Sequence, residues 1–461
     1  MEAHVRDLVV LPVLMVGLGL VLSGRTAAQT FTTLHSFGGG DGAIPFAGLI
    51  LSGNTLYGTT MRGGSSGYGA VFRVNTDGTG FTNLHSFPPF AIDSPNSDGA
   101  YPTGGLILSG NTLYGTAFEG GSFGGGTVFA LNTDGTGFTN LHSLGNDAAY
   151  PCAGLVLSGN TLYGTTLSGN SYGNGTVFTI GTNGTGFVRL HSFDVLGGVT
   201  NSSYAGLILS AATLYGTAFG GSQDVGSVFK LNTDGMGFTN LYSFDGGSDG
   251  AHPAGGLILS ANTLYGTTTA GGGSGNGTVF KINADGTGFT NLYSFTAGAS
   301  CGYSVCNRDG AMPRAGLILS GNTLYGTAVE GGSSGNGTVF AVNTDGTGFT
   351  NLYSFTGGSD GAYPWAALVL CGNTLYGTAS SGYGTVFSLS LPLPRLTIIP
   401  SGANVILAWP TNATGFTLQS TTNLVSPAIW ATNSTAPAVV NGQNTVTNPI
   451  TGTRQFYRLS Q

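Results

Sequence analysis

The side chains in this sequence that could do chemistry fall into three repeated settings and one cysteine pair. The first setting is a loop of the type Asp98-Gly99-Ala100-Tyr101-Pro102, with counterparts at Asp41, Asp249, Asp309 and Asp360 and irregular versions around Asp147 and Tyr204. An aromatic beside a carboxylate suits a sugar, whose apolar face packs on the ring while its hydroxyls hydrogen-bond the carboxylate. Asp98, Tyr101, Tyr150, Tyr204, Asp249, Asp309, Asp360 and Tyr363 are therefore the candidate ligand-binding residues. Ile44, His252 and Met312 fill the aromatic position elsewhere, which fits the plainer alternative of a turn carrying a hydrophobic plug.

The second setting is Asn-x-Asp-Gly, at Asp77, Asp134, Asp234, Asp285 and Asp345. Closely spaced oxygens invite calcium, but that ion wants roughly six to eight ligands and no second carboxylate follows at loop spacing. Asn183 stands in the third copy, keeping the turn and discarding the charge, so a hairpin turn is the expectation. In the third setting His35, His85, His142 and His191 alternate with Tyr242, Tyr293 and Tyr353. A metal ring could not exchange His for Tyr freely, so no metal or cofactor is expected. Gly-x-Ser-x-Gly strings such as Gly63-Gly64-Ser65-Ser66-Gly67 sit in glycine-rich loops with no helical period after them, so none reads as a nucleophile elbow, and no His-Glu-x-x-His or phosphate-loop motif is present. Hydrolysis by paired carboxylates would have to recruit Asp93, Asp98, Asp309 or Glu330. The leading expectation is a non-catalytic binding scaffold. A polysaccharide-degrading enzyme is the alternative.

These settings ride on one unit repeated seven times. Thr-Leu-Tyr-Gly-Thr recurs around Tyr57, Tyr114, Tyr163, Tyr215, Tyr265, Tyr325 and Tyr376, at intervals of 57, 49, 52, 50, 60 and 51 residues. Such periods mark propellers and solenoids, whose units bury their apolar faces only by stacking. Alternating β-branched and aromatic residues bounded by glycine predict four strands per unit, near 105–108, 112–116, 126–131 and 138–143 in the second. Asn, Asp and Gly between the first two and the last two strands predict tight hairpins on one face, leaving the long, ligand-accessible connections on the other. A lone fourth strand, Phe31 to Phe37, opens the array, and the seventh unit ends after its third. That phase predicts an all-β fold: a seven-bladed β-propeller over residues 29–390, closed by its N-terminal strand, rather than a solenoid with exposed ends. The recurrent Tyr and Val-Phe positions are expected to be packing between sheets. Insertions at Pro88 to Ser97 and Thr296 to Arg308 break the symmetry, so function should concentrate there.

Only 7% of the 461 residues are charged and the net charge is −7 with two lysines, Lys230 and Lys281. No basic stripe is available for phosphates, so nucleic acid is not an expected partner. Arg6, the apolar run Leu8 to Leu22 and Thr26-Ala27-Ala28 read as a signal peptide over residues 1–28; the run is short against the roughly 20 residues that span a bilayer. A secreted or cell-surface location without a transmembrane segment in the mature chain follows. In that oxidising setting Cys301 and Cys306 are disulfide candidates, and Cys152 and Cys371 read as unpaired small hydrophobes. Beyond a Pro-rich linker at 391–394, residues 395–461 read as a small β-sandwich with Trp409 as a core residue.

Gly-Leu-Ile-Leu-Ser-Gly-Asn-Thr-Leu-Tyr-Gly-Thr, followed by Gly-Thr-Val-Phe and Asn-Thr-Asp-Gly-Thr-Gly-Phe-Thr-Asn-Leu-His-Ser-Phe, resembles the Gloeo-Verruco (GloVer) tandem-repeat proteins of bacteria over about residues 31 to 390. The resemblance implies an exported, often surface-anchored protein without assigned activity, whose partner would be a glycan or another surface protein. Some members end in a sorting signal with a transmembrane helix, whereas this sequence ends Gln455-Phe456-Tyr457-Arg458-Leu459-Ser460-Gln461. The tail Phe-Tyr-Arg-Leu and Leu407-Ala408-Trp409-Pro410 are similar to immunoglobulin or fibronectin-like C-terminal modules.

Overall fold

The computed structural model describes residues 29–89, 96–145, 148–169, 174–193, 204–220, 225–301, 304–392, 395–410, 416–424, 428–433, 435–440, 443–450 and 455–460. The expected signal peptide and Asp93 and Asp147 lie outside them. Among these residues every regular element is a strand, and no helix is long and apolar enough to cross a membrane.

The repeat folds as four-stranded antiparallel sheets joined in sequence order. In the second unit the strands are Ile107–Ser109, Thr112–Ala117, Thr127–Asn132 and Thr139–Ser143. Thr112–Ala117 pairs along its whole length with Thr127–Asn132, setting Gly115 opposite Phe129. That glycine has a packing reason: a Cβ there would stand 2.5 Å from the Phe129 ring. The phenylalanine lies across its bare neighbour, and Gly58, Gly164, Gly216, Gly266, Gly326 and Gly377 meet Phe72, Phe178, Phe229, Phe280, Phe340 and Phe387 in the same way.

The strand Phe31–Ser36 pairs not with its own successor but with Thr385–Ser390, giving the sheet Phe31–Ser36, Thr385–Ser390, Thr374–Ala379, Val369–Cys371. It carries the same irregularity as the other fourth strands. Thr33 faces Phe387 and His35 faces Val386 with Leu34 skipped, as Asn140 faces Phe129 and His142 faces Val128 with Leu141 skipped.

The core is distributed between sheets. Tyr57 of the first unit is buried with Leu106, Leu113 and Phe129 of the second, and Tyr376 of the last is buried with Leu49, Leu56 and Phe72 of the first. All seven motif tyrosines are 9% exposed or less, and all seven Val-Phe phenylalanines are fully buried. Burying one such ring contributes about 1.5–3 kcal/mol.

Two further series of contacts recur from unit to unit. The last threonine of Thr-Leu-Tyr-Gly-Thr donates to a buried carbonyl of the next unit: Thr59 to Gly104, Thr116 to Ala153, Thr165 to Ala205, Thr217 to Gly255, Thr267 to Ala315 and Thr327 to Ala366. Thr378 donates to Ala47, returning to the first unit. The fourth-strand His or Tyr stacks on the phenylalanine that opens the next fourth strand, as in His35 on Phe81, His85 on Phe138 and Tyr293 on Phe349 at 3.7 to 3.8 Å. Tyr353 stacks on Phe31 at 4.1 Å.

Beyond residue 392 the strands Thr397–Ser401, Asn404–Pro410, Gln443–Pro449 and Ala438–Val440 form one sheet, and Ala431–Thr432, Thr417–Thr421 and Phe456–Ser460 another. Leu407, Trp409 and Val446 of the first share a core with Leu418 of the second. Trp430 lies under the Arg458 guanidinium at 4.3 Å.

Candidate functional site

Both long connections of each unit meet on one face, where they pair with each other: Ala43 with Arg62, Ala100 with Glu119, Ala149 with Ser168, Ala251 with Ala270 and Ala311 with Glu330. The next residue of the Asp-Gly-Ala-x-Pro loop is held from two sides. Tyr101 N donates to Tyr68 O of the preceding unit, and Phe118 N of its own unit donates to Tyr101 O. Ile44, Tyr101, Tyr150, His252, Met312 and Tyr363 all adopt positive φ, between 56° and 62°. Non-glycine residues occupy this region at a cost of about 1–3 kcal/mol, sustained only where surrounding bonds enforce it.

The loop aspartates bond within the protein. Asp249 accepts from Tyr242 Oη at 2.9 Å and from Asp245 N at 3.0 Å. Asp309 accepts from Tyr293 Oη at 2.7 Å, Thr296 N at 2.8 Å and Thr296 Oγ1 at 2.6 Å. Asp360 repeats this with Tyr353 and Thr356. These three carboxylates are 4 to 9% exposed. Asp41 bonds His35 at 2.9 Å, and Asp98 takes Ser97 Oγ at 2.9 Å and stands 3.3 Å from His85 Nε2. The aspartates thus act as staples that tie each long loop to the fourth strand before it. They also explain the His and Tyr alternation, because either ring presents a donor to the same carboxylate.

Electrostatics records this tying. Burial, then the hydrogen bond and charge of Asp249, push the Tyr242 phenol up to about 12. Tyr293 and Tyr353 are raised by the same causes from Asp309 and Asp360. Burial raises Asp249. For Asp360 burial also raises, but bonds from Thr356 and Tyr353 outweigh it and the carboxyl is lowered. The hairpin aspartates close local turns, Asp77 Oδ1 accepting from Thr79 N at 2.9 Å and Thr79 Oγ1 at 2.7 Å.

The aromatics divide. Tyr150 and Tyr363 are 39% and 37% exposed, which is more open than a plug between sheets, and Tyr101 is half-buried under Arg62 at 5.9 Å. Tyr204 does not share their position. Its unit lacks the proline, and Thr165 donates to the following Ala205 as Thr327 does to Ala366. Tyr204 is therefore the counterpart of Trp365, in a second series that the sequence reading missed: Phe46, Thr103, Cys152, Tyr204, Ala254, Arg314 and Trp365. Each stands two residues before the glycine or alanine at which the first strands crowd together; a Cβ on Gly154 would lie 3.2 Å from Gly105 O, and one on Gly48 3.2 Å from Ala367 O. Aligning the repeats on that small residue rather than on the proline would have revealed the series.

Three members of this series form a continuous stack. Phe46 packs on Trp365 at 5.0 Å, and the Arg314 guanidinium lies 4.7 Å from the centre of the Trp365 ring. Beside them Ser304, Met312, Arg314, Val329, Glu330, Tyr363 and Trp365 line a depression of about 270 Å³. Ser304 belongs to the hairpin Ala299–Cys301 and Ser304–Cys306, whose cysteines are joined in a disulfide. Its hydroxyl donates to Glu330 Oε2 at 3.1 Å and Gly335 O at 2.8 Å. On the outer side of the same hairpin a wider cleft of about 670 Å³ runs past Thr296, Asn307, Arg308 and Phe349. The second insertion thus adjoins both depressions. No group of three or more His, Cys, Asp or Glu among the described residues is placed to hold a metal.

The Gloeobacter/Verrucomicrobia repeat model matches residues 15–170, 90–218, 171–305 and 296–401. No curated protein matches the chain. Similar solved structures include an oligogalacturonate lyase from Vibrio parahaemolyticus, at 10% identity over 80% of this chain and 95% of that one with a TM-score of 0.47. A putative 6-phosphogluconolactonase from Bacteroides uniformis is 16% identical over 90% and 99%, with a TM-score of 0.46. A puromycin-hydrolyzing peptidase from Mycobacterium tuberculosis is 12% identical over 80% and 58%, with a TM-score of 0.49.

Proposed function

The chain belongs to the Gloeobacter/Verrucomicrobia repeat family, and from that premise we propose that it is an exported, non-catalytic binding scaffold built on a closed seven-bladed β-propeller. The N-terminal strand completes the last blade, the strands beyond residue 392 make a small β-sandwich, and residues 1–28 direct export to the surface or medium. The cycle of threonine bonds and ring stacks supports closure, since its last members, Thr378 to Ala47 and Tyr353 on Phe31, join the two ends of the array. The Cys301–Cys306 disulfide suits an oxidising compartment.

The ligand, a glycan or a surface protein, binds on the long-loop face. One observation carries this reading: positions that pack are identical in nearly every unit, whereas the series from Phe46 to Trp365 differs in all seven and puts aromatic and charged groups beside a depression. Packing needs repetition, and recognition of one ligand needs the opposite. The hydrolytic alternative has fewer acid and base candidates, because Asp98 and Asp309 are engaged in internal bonds.

A glycan array probed with the purified chain, paired with a reducing-sugar release assay, tests the proposal. Binding without turnover is expected. Sugar release abolished by Glu330→Gln would replace the scaffold with an enzyme, and a silent array followed by specific capture of one surface protein would select the protein ligand.

A further inference from the structure

Arg314 is unusual in a chain so poor in charge. Its Nε is buried and has no hydrogen-bond partner among the described residues. Contact ion pairs among those residues are confined to His35 with Asp41 and His85 with Asp98, so Glu330, which faces Arg314 across the depression, does not neutralise it at contact range. Burial pushes the guanidinium below its ordinary pKa despite the opposing pull of Glu330 and the Tyr204 phenol. A half-buried guanidinium whose Nε has no hydrogen-bond partner gains from an anion, and its planar fork matches a carboxylate.

The surroundings narrow the anion. Trp365 fixes the plane of the fork from one side. Glu330, held by Ser304, repels a dianion such as phosphate but accepts hydrogen bonds from hydroxyls. Tyr363, 37% exposed with φ 58°, turns a ring toward the same depression, whose wall is completed by Met312 and Val329. A volume of about 270 Å³ is small for a protein segment and suits a single ring.

We propose that this depression is a subsite for a uronic acid residue of an acidic oligosaccharide: Arg314 takes the carboxylate, Glu330 the ring hydroxyls and Tyr363 the apolar sugar face, with Trp365 positioning Arg314. The assignment rests on the reading of the long-loop face as the binding face and adds the ligand's charge to it.

Calorimetric titration of the full chain with an alginate hexasaccharide, and with the same oligosaccharide after reduction of its carboxyls to alcohols, tests the assignment. The acidic form is expected to bind at least about tenfold tighter, the gain of one charge-assisted contact. Arg314→Gln should erase that difference, Arg314→Lys should retain part of it, and Tyr363→Asn, which tolerates the positive φ, should weaken both forms. Thermal melts confirm that each variant is folded. Equal affinity for the two forms, or an unchanged preference in Arg314→Gln, overturns the uronate subsite. Tyr363-dependent binding of only the reduced form overturns it while leaving the glycan scaffold intact. Failure of either form to bind at about 1 mM also overturns it, and a glycan array silent on every sugar would remove the glycan reading as well.

Discussion

Two series of residues lie a short distance apart in every unit and behave in opposite ways. The second-strand threonines, from Thr59 to Thr378, are chemically invariant and each donates to the following unit. The series preceding the first strands runs Phe46, Thr103, Cys152, Tyr204, Ala254, Arg314 and Trp365, with no residue used twice. A contact repeated around a cycle must satisfy the same geometry at every step, so one residue type serves all positions. The second series, largely half-buried with Thr103 buried and Tyr204 exposed, is bound by no such repeated contact and is free to differentiate. Recurrence therefore locates what holds the molecule together, and its failure locates what the molecule presents.

Removing Phe31–Ser36 should break this comparison most severely, because it deletes the return stack on Tyr353 and exposes the edge of Thr385–Ser390. Loss of a single cooperative melt in calorimetry is the expected result, whereas an unchanged melt would show that the array does not need its return contacts. Phe280→Ala should cost about 3–5 kcal/mol in denaturant unfolding, through the cavity left between sheets. Gly266→Ala sharpens the same point from the other side: its methyl would meet the Phe280 ring at 2.6 Å, and the overpacking should cost about 1–3 kcal/mol.

A smaller effect should appear in alkali. The Tyr242 phenol is held up to about 12 in the fold against about 10 in an unfolded chain, so its contribution is intact below pH 10 and lost as pH rises through 12. Melts across that window should show the decline, and Tyr242→Phe should flatten it while costing about 1 kcal/mol at neutral pH. Tyr363→Asn should change stability least, by about 0.5 kcal/mol or less, while weakening ligand binding. A large loss of stability there would place Tyr363 with the packing residues.

Strand positions were legible because a strand announces itself through alternation and its ends through turn residues, both local properties. The strand predicted at 112–116 is Thr112–Ala117, and the fourth strand predicted at 138–143 is Thr139–Ser143. The equivalence of Phe31 to Phe37 with later fourth strands was also legible, from their shared side-chain order. The internal partners of the loop aspartates were not legible, although Tyr242 and Tyr353 stand only 7 residues before Asp249 and Asp360, because spacing alone does not show that a strand residue turns toward the loop that follows it. The exchange of His for Tyr carried the missing information, since both supply a donor and nothing else in common explains the mixture. Tyr204 was misplaced because a proline is a conspicuous marker and the small residue before the first strand is not.

The return of the first strand to the last sheet also sets an order of assembly. Thr30 and Ser390, joined by a hydrogen bond, are 360 residues apart in the chain. During synthesis the leading segment must therefore wait, unpaired, until the final repeat emerges. Contacts so remote in sequence form slowly, because the loop must close before they stabilise anything. Meanwhile the waiting chain bares a strand edge to its neighbours. A chaperone or a slow rate of release would guard that interval, and its length is fixed by how many repeats precede the seam.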